Sequence, residues 1–297
     1  MSLLLSAWYR VEALAGRVLL AAVAAAPPAL ALGFARIVGR FVYLVWRRRR
    51  HIALDNLRQS GLARDEAEVR RLARESFESF VLMVVESVIL RRRLDASHWA
   101  EHVSLKLSPE AEAALREPGR GLIVASAHLG NWEVAARAVS QIKPVCVVYR
   151  PVNNPHLNAH LHAGRSGERL RLLSRLEPDP LRFLQALHQG EVLALMIDQH
   201  VHEGRVQVDF LGRPAWTSRS VAMLQFTTRA PLVVAVAVRT GTLRFEVHAV
   251  GPLRVPRTGD RERDVRDFLQ SLTAEVERLV RLYPGQYMWG HRRWKPQ

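Results

Sequence analysis

The chain has 297 residues, 48% of them hydrophobic, with a formal net charge of +15 and one cysteine. That length suits one large domain with room for an anchoring segment, and the charge asks for an acidic partner. A lone cysteine excludes a disulfide framework or a Cys-based metal site within the chain. No zinc-finger spacing, basic zipper or glycine-aromatic RNA-binding signature is visible, so an anionic membrane surface and an acidic carrier are the expected partners and nucleic acid is not.

Val18 to Ala35 is nearly all apolar, at the lower edge of the length needed to cross a bilayer. Pro27 and Pro28 interrupt it and should kink a helix or split it in two. Trp8, Tyr9, Tyr43 and Trp46 are placed like interfacial aromatics, and the basic tetrad Arg47 to Arg50 follows at once. That asymmetry puts the rest of the chain on the cytoplasmic side. Residues 1–50 therefore read as a membrane anchor, either a span or a re-entrant hairpin. Helices packed on the domain or lying on the bilayer are the alternative. Residues 51–297 read as one large α/β domain. Within it, residues 52 to 94 read as helices. Val69, Leu72, Ala73, Phe77, Phe80, Val81, Val84, Val85 and Val88 recur at helical spacing as a core stripe. Arg91 to Arg93 read as a solvated cap near lipid headgroups.

Leu122 to Ala127 is a short apolar run between Gly121 and Gly130, the pattern of a buried strand. Asn131 is the expected N-cap of the next helix. His128 thus stands at the carboxyl end of a strand, where open α/β sheets hold their ligands. Glu133 lies one helical turn on. A histidine can take a proton from a hydroxyl, and a carboxylate on its far nitrogen fixes the tautomer. His128 and Glu133 are the expected catalytic dyad, with no Ser or Cys nucleophile; the alternative is a strand-end histidine beside an ordinary helix glutamate.

Val145 to Tyr149 reads as a second buried strand carrying Cys146. Arg150, in the loop beyond it, is either an anion clamp or a plain loop arginine. His156, His160 and His162 lack the His-Glu-x-x-His pattern, and no metal is expected. Asp179 to Gly190 reads as a helix and Glu191 to Ile197 as a strand, which puts Asp198 and Gln199 on the sheet edge of His128 if the strands are parallel. Asp198 then supports the site, orients Arg150 or His128, or caps a helix. Pro231 to Val238 and Leu243 to Val250 read as strands, and Arg263 to Leu282 as an amphipathic helix stopped by Pro284. The tail from Trp289 to Lys295 mixes aromatics and cations in a composition suited to a headgroup interface. The expected fold is α/β: a mixed, mostly parallel sheet of about six or seven strands flanked by helices, behind the N-terminal membrane-associated segment.

Ala127-His-Leu-Gly-Asn-Trp-Glu133 resembles the His-x4-Asp/Glu signature of the lipid A late acyltransferases. Further segments match in order: Tyr149-Arg-Pro with Asn154-Pro, Ile197-Asp-Gln199 followed by Phe210 to Thr217, and Tyr287 to Lys295. The resemblance implies acyl transfer from an acyl-carrier-protein thioester, or from acyl-CoA, to a hydroxyl of a membrane glycolipid. It implies a lipid A precursor as acceptor, no cofactor, and a place on the inner membrane facing the cytoplasm. His128 would act as base while Glu133 holds the imidazole. Asn131, Arg150, Arg165, Asp198 and Gln199 would bind substrate, Arg165 as a match to a lipid-contacting family arginine. Backbone amides near Gly130, or Arg150, would stabilise the oxyanion. The apolar stripe of residues 69–88 is core or one wall of an acyl groove, and Trp216 either shortens the acyl pocket or packs at the surface. His200 stands where the family usually has Asp. Other acceptors, such as phosphatidylinositol mannoside or an aminolipid, and a non-catalytic membrane scaffold are the competing readings.

Overall fold

The computed structural model describes residues 3–176, 179–201 and 203–294. The N-terminal run is two helices, α1 (Leu3–Ala25) and α2 (Pro28–Val45). Pro27 and Pro28 separate them: a proline deep inside one continuous helix would remove a backbone bond and clash with the preceding turn. α3 (Arg47–Ser60) follows, then the long α4 (Glu66–Leu90), whose start is capped by Asp65 accepting from the Glu68 amide. α2 buries Ala31, Leu32 and Ala35 in a cluster with Leu82 and Val85 of α4. The helices approach so closely that a Cβ on Gly39 would lie 2.6 Å from the Glu78 Cα. The other face of α2 is bare: Leu30, Phe34, Ile37, Phe41 and Leu44 stand exposed, each three or four residues after the last. α2 is long and apolar enough to cross a membrane by length and composition.

The remaining elements alternate: α5 (Trp99–His102), β1 (Val103–Leu107), α6 (Pro109–Arg116), β2 (Leu122–Ser126), α7 (Trp132–Ile142), β3 (Val145–Tyr149), α8 (Pro155–Arg165), β4 (Leu170–Ser174), α9 (Pro180–His188) and β5 (Val192–Met196). A hairpin, β6 (Arg205–Phe210) and β7 (Arg213–Ser218), leads to α10 (Ser220–Thr228), β8 (Leu232–Gly241), β9 (Arg244–Val250) and α11 (Arg261–Leu282). Seven strands form one sheet in the order β1-β9-β8-β2-β5-β3-β4; all its pairs are parallel except β8 with β9. The sheet is thus mixed and mostly parallel, as expected.

Side chains alternate across a strand, and the two faces of this sheet serve different ends. Ile123, Ala125, Leu193, Val234 and Val236 join the main core with Phe268, Leu269 and Leu272 of α11. Leu122, Val145, Val192 and Val233 point the other way, towards Ala111 and Leu115 of α6. Cys146 is fully buried, and burial pushes its thiol up to about 11.

Candidate active site

β2 and β5 run in parallel with Ser126 opposite Met196. Two residues beyond that register, His128 and Asp198 meet. His128 Nδ1 lies 2.8 Å from Asp198 Oδ1, and the His128 amide donates to Asp198 Oδ2 at 2.8 Å. Asp198 is buried. Burial alone would raise its carboxyl, but the His128 imidazole and its hydrogen bonds, with Arg293 further off, hold it below the ordinary value. With the Nδ1 proton donated to Asp198, the Nε2 lone pair accepts from Gln199 Nε2 at 3.2 Å. The edge of the ring packs on Trp132, centroids 4.9 Å apart.

The turn carrying His128 is held on every side. Gly130 has φ +69, and a Cβ there would fall 1.8 Å from the Ala237 carbonyl oxygen, so glycine is required. Asn131 accepts from the Val134 amide, the cap expected from sequence, and donates to Glu86 Oε2 at 3.0 Å. Glu86 is buried and forms an ion pair with Arg239 of β8. From the C-terminal segment the Met288 amide donates to the His128 carbonyl at 3.0 Å, and Leu129 bridges Tyr287.

Four expectations are corrected here. The carboxylate on the imidazole is Asp198, not Glu133. The first turn of α7 carries Glu133 away to an ion pair with Arg165 at 2.8 Å, and partial burial there raises its carboxyl against the pull of Arg165 and Arg137. Asn131 has no exposed surface to offer a substrate, because its side chain is spent on the cap and on Glu86. The backbone amides near Gly130 are already donated: Leu129 to Ala127, Gly130 to Gln286 and Asn131 to Ala237. These three amides are not available to an oxyanion. The described part of the tail is anchored in the core rather than laid open as a headgroup interface, with Arg292 alone exposed between Trp289 and Trp294. Trp289 is 1% and Arg293 3% exposed, and Arg293 bonds the Trp216 carbonyl and Thr217 Oγ1. Lys295 lies outside the described residues.

A cavity of about 430 Å³ opens at His128, Trp132, Glu133 and Gln199. It runs between the sheet and α7, past Val124, Val147, Ala194 and Ala235, to a floor at Ala111 and Leu115 of α6. Arg150, Arg165 and Arg175 line the same cavity; Arg150 and Arg175 are exposed, and Arg150 has no ion-pair partner among the described residues. Trp216 is not on its wall; it packs half-buried under Arg205, whose guanidinium is 4.4 Å from the ring centre. His156, His160 and His162 lie on α8, and no group of three His, Cys, Asp or Glu able to hold a metal occurs among the described residues. Sequence reading missed Trp132 as a site wall, Tyr287 and Arg293 beside Asp198, and His291. Burial pushes Tyr287 well above its ordinary phenol value and His291 down to about 4. The cluster of large side chains in the C-terminal motif was the available signal.

An orienting carboxylate, a histidine whose second nitrogen meets only the Gln199 amide among the described residues, and a mainly apolar cavity beside it suit the handling of an alkyl-bearing acyl group. The bacterial lipid A biosynthesis acyltransferase family matches residues 4–296. The chain belongs to this family. A curated relative, the lipid A biosynthesis lauroyltransferase of Escherichia coli (strain K12), is 27% identical over 274 residues, covering 90% of this chain and 84% of that one. In this lipid A biosynthesis acyltransferase, His128 and Asp198 stand at the sheet edge where β2 and β5 end.

Proposed function

We propose that the enzyme transfers a fatty acyl chain from an acyl-carrier-protein thioester to a hydroxyl of a lipid A precursor, with His128 as general base. The observation that carries this reading is the His128–Asp198 pair with its histidine on the wall of a mainly apolar cavity. The acyl chain lies in the cavity, with its thioester carbonyl at His128. Nε2 removes the acceptor proton, the hydroxyl oxygen bonds to the carbonyl carbon, and a tetrahedral oxyanion forms. Collapse breaks the carbon–sulfur bond, and the imidazolium returns its proton to the leaving thiolate. Asp198 fixes the tautomer and stabilises the imidazolium. Arg150 is the oxyanion stabiliser: it is cationic, lines the cavity and follows β3, whose pairing with β5 puts its end beside that of β5. The exposed Arg150 and Arg175 at the mouth suit an acidic carrier. The bare apolar face of α2 and the basic surface hold the enzyme on the cytoplasmic face of the inner membrane.

The test is mass spectrometry of a lipid panel incubated with acylated carrier protein and the enzyme. Wild type should add one acyl mass to the lipid A precursor, and His128→Ala should add none while keeping a wild-type circular dichroism spectrum. Near-normal turnover by His128→Ala removes the mechanism. A mass gain on a different lipid keeps the chemistry and replaces the acceptor.

A further inference from the structure

A second cavity, of about 530 Å³, lies between α1, α4 and α8. It meets the acyl cavity at one place, because Glu133 and Arg165 line both. Its walls are amphipathic. Ala24 of α1 and Met83 and Val88 of α4 are apolar, while Arg17, Arg92 and His160 are polar or cationic. The apolar side continues over Val84 of its wall to Phe80, one helical turn earlier on α4, both exposed.

The fold holds this groove open from both ends. Asn154, buried at the start of α8, caps that helix and also donates to the Tyr9 carbonyl at 2.8 Å and to Glu12 Oε2 at 3.0 Å. It thereby ties α1 across α8. At the other end of α8, Arg137 donates to the Gly164 and Arg165 carbonyls at 3.1 Å, and Arg91 to the Ala163 carbonyl at 3.3 Å. Those bonds set Arg165 over Glu133. The groove is thus built by side chains from α1, α4, α7 and α8, and it leads from the exposed apolar surface to the site.

We propose that this groove takes the acceptor: a glycolipid with an anionic headgroup, its hydrocarbon along α1 and α4, its headgroup charge at Arg17 and Arg92, and its hydroxyl presented to His128 beside the Glu133–Arg165 pair. The proposal rests on the acyl-transfer reading given above. It adds that donor chain and acceptor occupy separate compartments that share one wall. Both are then bound together before transfer, which suits a site whose base activates the acceptor directly. An amphipathic groove opening on the bilayer-facing surface fits a lipid better than a soluble sugar, because a free sugar leaves the apolar wall wet.

The test is steady-state kinetics with a bis-phosphorylated lipid A precursor in mixed micelles and acylated carrier protein, each varied against the other. The variants are Ala24→Trp, which fills the groove, Arg92→Glu, which reverses its charge, and Val147→Trp, which fills the acyl cavity. Ala24 and Arg92 are exposed, so their variants should fold. Ala24→Trp and Arg92→Glu should each raise the acceptor KM at least tenfold and leave the carrier KM within twofold. Val147→Trp should change donor chain preference instead. Wild-type double-reciprocal lines should intersect. An acceptor KM unmoved by both groove variants, or a groove variant that changes donor chain preference, overturns the proposal while leaving the acyl-transfer reading intact. Absence of transfer by wild type to any lipid overturns that reading and this proposal with it.

Discussion

The surroundings of two carboxyls at the site shift them in opposite directions. Asp198 is held below its ordinary value and Glu133 above it. A depressed carboxyl contributes stability that is complete above the unfolded value, near pH 4, and is lost as the pH falls through the lower folded value. A raised carboxyl does the reverse: its contribution is present below the unfolded value and is lost as the pH rises through the folded one. Asp198→Asn should therefore flatten the acid limb of the unfolding midpoint against pH. At pH 7, Glu133→Gln should leave the midpoint no lower than wild type. In activity, Asp198→Asn should lower kcat roughly 10³- to 10⁴-fold, the scale expected when an orienting carboxylate is neutralised. Glu133→Gln should act through Arg165 and raise the acceptor KM more than it lowers kcat. The opposite pattern in the two variants would return the imidazole-holding role to Glu133. His128 could be read from its strand-end position and motif, and Asn131 from its cap. For the partner of His128 the sequence offered two carboxylates, Glu133 as the expected one and Asp198 as an alternative that required parallel strands. Glu133 is five residues away in sequence and Asp198 is 70, yet the choice depends on the β2–β5 register, which local pattern does not encode.

Elements with strong periodicity were legible, and those whose pattern is set by distant partners were not. The apolar runs at β2, β3, β5 and β8 are buried strands, as their composition implies. β1 reads Val-Ser-Leu-Lys-Leu and β4 Leu-Arg-Leu-Leu-Ser; both are sheet edges, half wet, and so too polar and short to be told from loops. The C-terminal motif misled for a related reason: its cations and aromatics look like surface, but Ser76 and Asn56 bond its backbone and draw it into the core. Packing at this scale sets the sizes of two effects. Glu86→Ala removes one partner of a buried ion pair and should cost about 3–5 kcal/mol of unfolding free energy. Glu112→Ala breaks an ion pair half-exposed on both sides and should cost less than about 1 kcal/mol in the same denaturant titration. Ala194 of β5 faces the acyl cavity part-way down. Ala194→Leu should shift the preferred donor to a shorter chain, read by competition among carrier proteins bearing different acyl lengths. An unchanged preference would place the chain elsewhere.

At the scale of the whole molecule, a positive net charge and bare apolar helix faces both suit an anionic bilayer. The chain carries +15, and α1 and α2 leave Trp8, Val11, Phe34, Ile37 and Phe41 in water. The charge alone did not separate a membrane from nucleic acid; the bare stripe on α2 favours a bilayer, since base and phosphate contacts need no such surface. Binding to vesicles should therefore have two components. Raising the salt should weaken co-sedimentation with anionic vesicles without abolishing it. Replacing Phe34 and Phe41 together by Ser removes about 1.5–3 kcal/mol of burial for each ring, enough to weaken sedimentation more than tenfold at any salt. Loss of all binding in salt with the wild-type rings in place would mean that the face meets an acidic protein, not lipid.

The only thiol of the chain, Cys146, is walled into the sheet and kept protonated, so maleimide and peroxide alike find no reactive thiol in the native protein. A cysteine placed on α1 or at the groove would then be the sole reactive handle, with no background to remove by mutation. The enzyme is, by the same token, deaf to thiol redox signalling: oxidants that silence cysteine enzymes should pass it by.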